Sequence, residues 1–195
     1  VIFNGNNYSD EWRREAEERG LPHIHSSVEA AEALIRQKNV DLFEKHGVFD
    51  RKELESRYEI RLESYAKTVN IEANTMVEMT RRLIVPAVVK YSKFLSDALV
   101  QMKNTGLAVD VSLEAGLLKE VSAQAAALRA ALSRLEKLLE KGAAMTDVPD
   151  KAAFYEEKVL PAMSALREPA DQLETLLGKD FWPMPTYTDL MYGIL

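Results

Sequence analysis

Four groups of residues have the types and spacing from which chemistry could be built. His23-Ile24-His25 alternates two imidazoles along one side of an extended segment, which is how half of a metal site begins. No third ligand stands nearby at a suitable spacing, so the pair reads as loop histidines. Glu55, Glu59 and Glu63 recur along one helix face, and carboxylates on facing helices can bridge two metal ions. The companion Glu-x-x-His sequences are missing, and Arg57, Arg61 and Lys67 interleave, which favours a solvated, ion-paired face. Thr68, Asn70, Glu72, Asn74 and Thr75 place short polar side chains inside an otherwise apolar-periodic run. Such residues are weak helix formers because they compete for backbone hydrogen bonds. They read as a polar seam satisfied by packed elements, with contact to a substrate or a neighbouring subunit as the functional alternative. Phe181-Trp182-Pro183-Met184-Pro185-Thr186-Tyr187 cannot be helical throughout and would bury a large area if it lay across the helices. It reads as a tail clamp first and a docking site for a peptide second.

From these segments Asn70, Glu72, Asn74, Trp182 and Tyr187 stand out as candidate contacts between elements or subunits. No residue is assigned a catalytic, cofactor-binding or metal-ligating role. The chain has no Gly-x-x-x-x-Gly-Lys, Gly-x-Gly-x-x-Gly or Gly-x-Ser-x-Gly arrangement, so nucleotide loops and serine-elbow catalysis have no support in the sequence.

The elements that must position these residues are helices. With 195 residues, 47% hydrophobic and 29% charged, the chain has the balance of an ordinary globular protein of about one large domain. A net charge of -6 without a basic block argues against nucleic acid or an anionic membrane as partner. The absence of cysteine excludes disulfide scaffolds and thiol nucleophiles and suits a reducing compartment, with the cytoplasm as the expected location. No apolar run approaches the roughly 20 residues needed to span a bilayer. The opening Val1-Ile2-Phe3, without methionine or a signal-like segment, reads as a cut through a larger protein.

Ser9 caps an expected helix from Asp10 to the stop at Gly20, and Ser26 with Glu29 has the spacing of a capping box for a second. A third short helix, from about Val40 to His46, ends at Gly47, and Asp50 with Glu53 then opens the main element. Apolar residues from Leu54 through Leu62, Val69, Ala73, Leu83, Ala87, Tyr91, Phe94 and Met102 predict one long helix that Pro86 should kink or divide. A second stripe runs from Leu117 through Val121, Leu128, Leu132, Leu135 and Leu139 to Gly142, followed by a polar connection with Pro149. A third runs from Val159 through Leu166 and Leu173 to Leu177, with Pro161 and Pro169 as irregularities. The expected fold is all-α: short N-terminal helices, then an antiparallel bundle of about three long helices, then the aromatic-proline tail.

Three phrases carry a family resemblance: Phe3-Asn4-Gly5-Asn6-Asn7-Tyr8-Ser9-Asp10-Glu11-Trp12, Tyr58-Glu59-Ile60 with Asn70-Ile71-Glu72-Ala73, and Trp182-Pro183-Met184-Pro185-Thr186-Tyr187. They resemble the C-terminal region of type III glutamine synthetases, and the resemblance spans the chain end to end. Departures are modest, such as Met184 where the family more often has an aromatic residue and Asn74 where it often has an apolar one. The resemblance implies a parent enzyme that joins glutamate and ammonia using ATP and magnesium or manganese, through a γ-glutamyl phosphate, in a large homo-oligomer typically of two hexameric rings. The metal-binding glutamates, the ATP-contacting basic residues and the loop closing over glutamate belong to motifs this chain does not contain, so no catalytic residue transfers and no cofactor is expected in this chain.

On that reading residues 1–49 continue from the parent's catalytic domain, and residues 50–195 form the bundle and tail, all within one structural unit. The implied role is structural and in oligomer packing, with the catalytic domain and neighbouring subunits as partners. The alternative is a free-standing helical bundle that binds a partner through an exposed apolar face or the Trp182 segment.

Overall fold

A computed structural model describes residues 5–6, 8–22 and 24–193, with Tyr187 and Thr188 described by their backbone alone. His23 and, in the first resembling phrase, Phe3, Asn4 and Asn7 lie outside the described residues. Every element among the described residues is helical, so the fold is all-α. Contacts divide the chain into Val1–Tyr65 and Ala66–Leu195, inside a helix, where the sequence alone suggests a seam at residues 49/50.

The first unit holds α1 (Asp10–Glu18), α2 (Ser27–Glu32) with a 3-10 turn at Ala33–Ile35, α3 (Gln37–Lys45) and the beginning of α4 (Arg51–Met79). Its helix starts follow the capping residues. Ser9 Oγ accepts from the Trp12 N–H and Ser26 Oγ from the Glu29 N–H, satisfying donors that have no partner inside the helix. At α4 the box is reciprocal: the Glu53 N–H donates to Asp50 Oδ1 and the Asp50 N–H to Glu53 Oε2, both at 2.8 Å. Val28, Ala31, Val40, Leu54 and Leu62 are buried, and the Arg57 guanidinium lies 4.1 Å from the centre of the Phe49 ring.

The second unit holds the rest of α4, a π-helical turn at Thr80–Ile84, α5 (Val85–Asn104), α6 (Ser112–Ala143), α7 (Val148–Phe154), a second π turn at Tyr155–Val159, α8 (Leu160–Leu176) and α9 (Tyr187–Tyr192). α6 packs most extensively on α8 and next on α5. The short connections at 105–111 and 144–147 turn successive helices back on one another, the antiparallel arrangement expected of stripes joined by short loops. Val121, Leu128, Leu132, Leu135 and Leu139 on α6, and Ala162, Leu166 and Leu173 on α8, are buried where their periodicity places them.

The prolines act in ways the sequence left unspecified. The interruption expected at Pro86 falls just before it, between α4 and α5. The chain widens into a π turn just before it, and the Val85 N–H donates to the Thr80 carbonyl five residues back. Pro161 is handled in the same way, with the Leu160 N–H donating to the Tyr155 carbonyl. A wider turn relieves the clash between a proline ring and the preceding turn of helix. Pro149 is not in a connection but in the first turn of α7, where a missing N–H costs nothing, and Asp147 caps that turn by accepting from the Asp150 N–H at 3.0 Å. Pro169 sits inside α8, buried, without ending it.

The first π turn also corrects the predicted core. Leu83 and Phe94, placed in the stripe by counting, are 38% and 54% exposed, while Ile84 and Leu95 are buried. One extra residue in the turn rotates the helix face by about 100°. A count that assumes an unbroken α-helix therefore slips at these two positions, although Ala87 and Tyr91 of the same stripe are buried as counted.

Candidate functional site

Of the polar stretch on α4, one residue reaches across to another element. Asn70 is half-buried, and its Oδ1 accepts the hydroxyl of Tyr155 at 2.8 Å. Asn74 folds back on it, its Nδ2 lying 2.7 Å from the Asn70 carbonyl and 3.2 Å from Oδ1. Thr75 Oγ1 donates to the Ile71 carbonyl at 2.9 Å, the local bonding by which short polar side chains are tolerated in helices. Glu72 and Thr68 are exposed. Two of the singled-out residues, Asn70 and Asn74, therefore belong to one hydrogen-bonded node, and Glu72 does not.

The other half of that node was not legible in the stripes. Tyr155 opens the second π turn with 1% of its surface exposed, and its ring lies against Gly142 in the last turn of α6. A Cβ at Gly142 would stand 2.9 Å from Tyr155 Cε2 and 3.0 Å from the hydroxyl oxygen, so the missing side chain is what admits the ring. Burial pushes the phenol above its ordinary pKa, which keeps it protonated as the donor to Asn70. The signal that could have revealed Tyr155 is its distance from Pro161, which matches that of buried Thr80 from Pro86.

Gly142→Ala is expected to destabilise the second unit. Forced overlap with a ring held on both sides costs about 1–3 kcal/mol. The better helix propensity of alanine offsets at most about 1 kcal/mol of that, and less in a terminal turn. Urea unfolding followed by circular dichroism would measure the balance; a gain in stability would show that the ring yields freely.

The aromatic tail lies on the second unit. The Phe181 ring is 5.1 Å from that of Tyr91 in an edge-to-face arrangement and 5.3 Å from that of Phe94. Trp182 is buried, and its indole N–H has no acceptor among the described residues. Beside it, a groove of about 740 Å³ runs between Arg167, Asp171 and Glu174 on α8 and Trp182, Met184 and Leu190 on the tail side. Tyr187 begins α9, and its side chain is outside the described residues.

The tail is closed by Asp189. The Lys179 ammonium donates to Oδ1 at 2.7 Å, while the N–H and hydroxyl of Thr186 donate to Oδ2 at 2.9 and 2.8 Å. The Lys179 hydrogen bond first, then those from Thr186, hold the carboxyl down to about 2 from its ordinary 3.8. A depressed carboxyl stabilises the closed tail at every pH above its unfolded value and loses that contribution as pH falls through the folded one. The clamp is therefore expected to be intact at pH 5 and to open only as pH approaches about 2, which a carboxyl carbon NMR titration of Asp189 would follow; titration near the ordinary value would show that the clamp is not formed.

The remaining candidates stay apart. Glu55, Glu59 and Glu63 are exposed, and Glu55 pairs with Arg51 at 3.6 Å. The His25 N–H donates to Glu29 Oε2, whereas His23 lies outside the described residues. Among the described residues no three His, Cys, Asp or Glu side chains are grouped so as to hold a metal ion, and no helix is long and apolar enough to cross a membrane.

Fold and site together define an all-α domain whose buried polar groups tie its own helices to one another. A family model described as the glutamine synthetase C-terminal domain matches residues 1–103, and the chain belongs to that family. It is 39% identical over its whole length to a glutamine synthetase of Butyrivibrio fibrisolvens, covering 28% of that protein. It is also 29% identical to a type-3 glutamine synthetase of Dictyostelium discoideum and 28% identical to a glutamine synthetase of Bacteroides fragilis, covering 27% of each. The chain thus spans little more than a quarter of the relatives it matches.

Proposed function

We propose that this chain acts as the helical C-terminal region of a type III glutamine synthetase in the cytoplasm, bracing the catalytic part and contributing to packing between subunits. The observation that carries this reading is the match of essentially the whole chain to little more than a quarter of each relative, one of them a type-3 enzyme. The parent reaction would be ATP-dependent ligation of ammonia to glutamate with magnesium or manganese. Phosphoryl transfer of that kind needs metal-bridging carboxylates and cationic groups converging on phosphate, which on this reading the rest of the parent enzyme would supply. A packing role has apolar surface to draw on: Val89, Val100, Leu107 and Leu113 are each more than half exposed.

The test has two arms. The folded chain, assayed for γ-glutamyl transferase activity with metal and nucleotide, is expected to be inactive; turnover well above background would mean that it carries a complete site. Deleting the region from the full-length enzyme is expected to lower both activity and the mass of the assembly. A deletion that leaves both unchanged would favour the interaction module instead.

A further inference from the structure

The second unit carries two surfaces of matching chemistry. One is the groove of about 740 Å³ between α8 and the tail, within the size range of pockets that take a drug-sized ligand. Trp182, Met184 and Leu190 make its tail side apolar, while Asp171 and Glu174 stand on the α8 side. Arg167 pairs with Asp171 at 3.1 Å, which leaves Glu174, half-buried, without a cationic partner among the described residues. The indole N–H of Trp182, shut off from solvent and without an acceptor among the described residues, marks a place where the chain's own polar groups do not complete the packing. What suits this groove is an apolar segment accompanied by a positive charge.

The other surface is the connection from α5 to α6. Residues 105–111 lie outside any helix, and 105–110 are all exposed. Leu107 and, in the first turn of α6, Leu113 are 71% and 69% exposed, and Val109 is 41% exposed. Large apolar side chains gathered at one end of a helical hairpin indicate a surface that another surface covers. Lys103, in the last turn of α5, is exposed and has no ion-pair partner among the described residues. The loop thus offers the apolar segment and the cation that the groove lacks, yet no residue of it lines the groove of its own chain.

We propose that the loop at 105–111 of one copy of this chain seats in the groove between α8 and the tail of a second copy, with Leu107 against the Trp182 and Met184 side and Lys103 toward Glu174. Complementary charge sets the orientation, and burial of the loop's apolar side chains supplies the affinity. Loop and groove are different surfaces, so the contact is head-to-tail, and each copy offers one of each.

Sedimentation velocity of the chain over a range of concentrations is expected to show reversible association. Leu107→Asp removes the loop's anchor and is expected to weaken that association about tenfold or more. Glu174→Lys is expected to weaken it roughly fivefold, and adding Lys103→Glu to the same chain is expected to restore it, because the exchanged charges meet again across copies. Restoration by the second substitution also separates a lost contact from a folding defect at Glu174. The decisive arm mixes the Leu107→Asp chain, whose groove is intact, with the Glu174→Lys chain, whose loop is intact. The two are expected to form one-to-one pairs that grow no further. A mixture that forms no pair, a charge exchange that restores nothing, or an unsubstituted chain that stays monomeric at near-millimolar concentration would overturn the proposal. The proposal rests on the subunit-packing reading and can fail without it: association that survives Leu107→Asp and Glu174→Lys together would overturn the loop and groove while keeping that reading.

Discussion

Tyr155→Ala is expected to cost the second unit about 3–5 kcal/mol, the range for emptying a fully buried aromatic site. The ring is 1% exposed and fills the space over Gly142, so truncation leaves a cavity whose floor is backbone that cannot collapse into it. Tyr155→Phe retains the ring and is expected to cost only about 1 kcal/mol, the net worth of one neutral hydrogen bond. Asn70 Oδ1 keeps its Asn74 partner in that variant and is half-exposed, so water can replace the lost donor. Urea unfolding of the three proteins, with the slope held constant, separates packing from hydrogen bonding. Equal losses for phenylalanine and alanine would mean that the hydroxyl, and not the ring, holds the node together.

The second large effect is expected at the middle of α6. Leu128 is 2% exposed on the helix that packs on both α5 and α8, and Leu128→Ala should cost about 3–5 kcal/mol through lost transfer energy and a residual cavity. Leu132, one turn on, is 8% exposed, and its replacement by alanine should lie nearer 2 kcal/mol because the seam is open to solvent at that edge and can relax. A larger loss at Leu132 than at Leu128 would contradict the burial order of the seam. Retention of full stability by both variants would exclude the bundle itself.

Much of the fold was legible in the residues. Ser9, Ser26 and the Asp50/Glu53 pair marked helix starts correctly because a capping side chain acts within four residues of itself. The α6 stripe was legible because that helix is unbroken, so spacing in the sequence maps directly onto one face. Counting slipped at two positions beyond Thr80, where Leu83 and Phe94 gave way to Ile84 and Leu95 while Ala87 and Tyr91 stayed buried, because a π turn shifts the phase of the helix. The prolines signalled that something must happen near residues 86 and 161. They left open whether the helix would bend, end or widen, since the choice depends on what packs against it.

The candidate site divides along the same line. Asn70 and Asn74 stood out because their types contradict their setting, which is a property of local sequence. That Asn70 answers to Tyr155, 85 positions away, follows from α6 presenting a glycine where the ring must cross. Composition, capping and periodicity thus determined an all-α chain, the places where its helices start and the face each buries, because those effects act over one or two turns. The tertiary structure decided which polar residue meets which, where the helix changes phase, and how the tail is held, because each depends on side chains brought together from different helices.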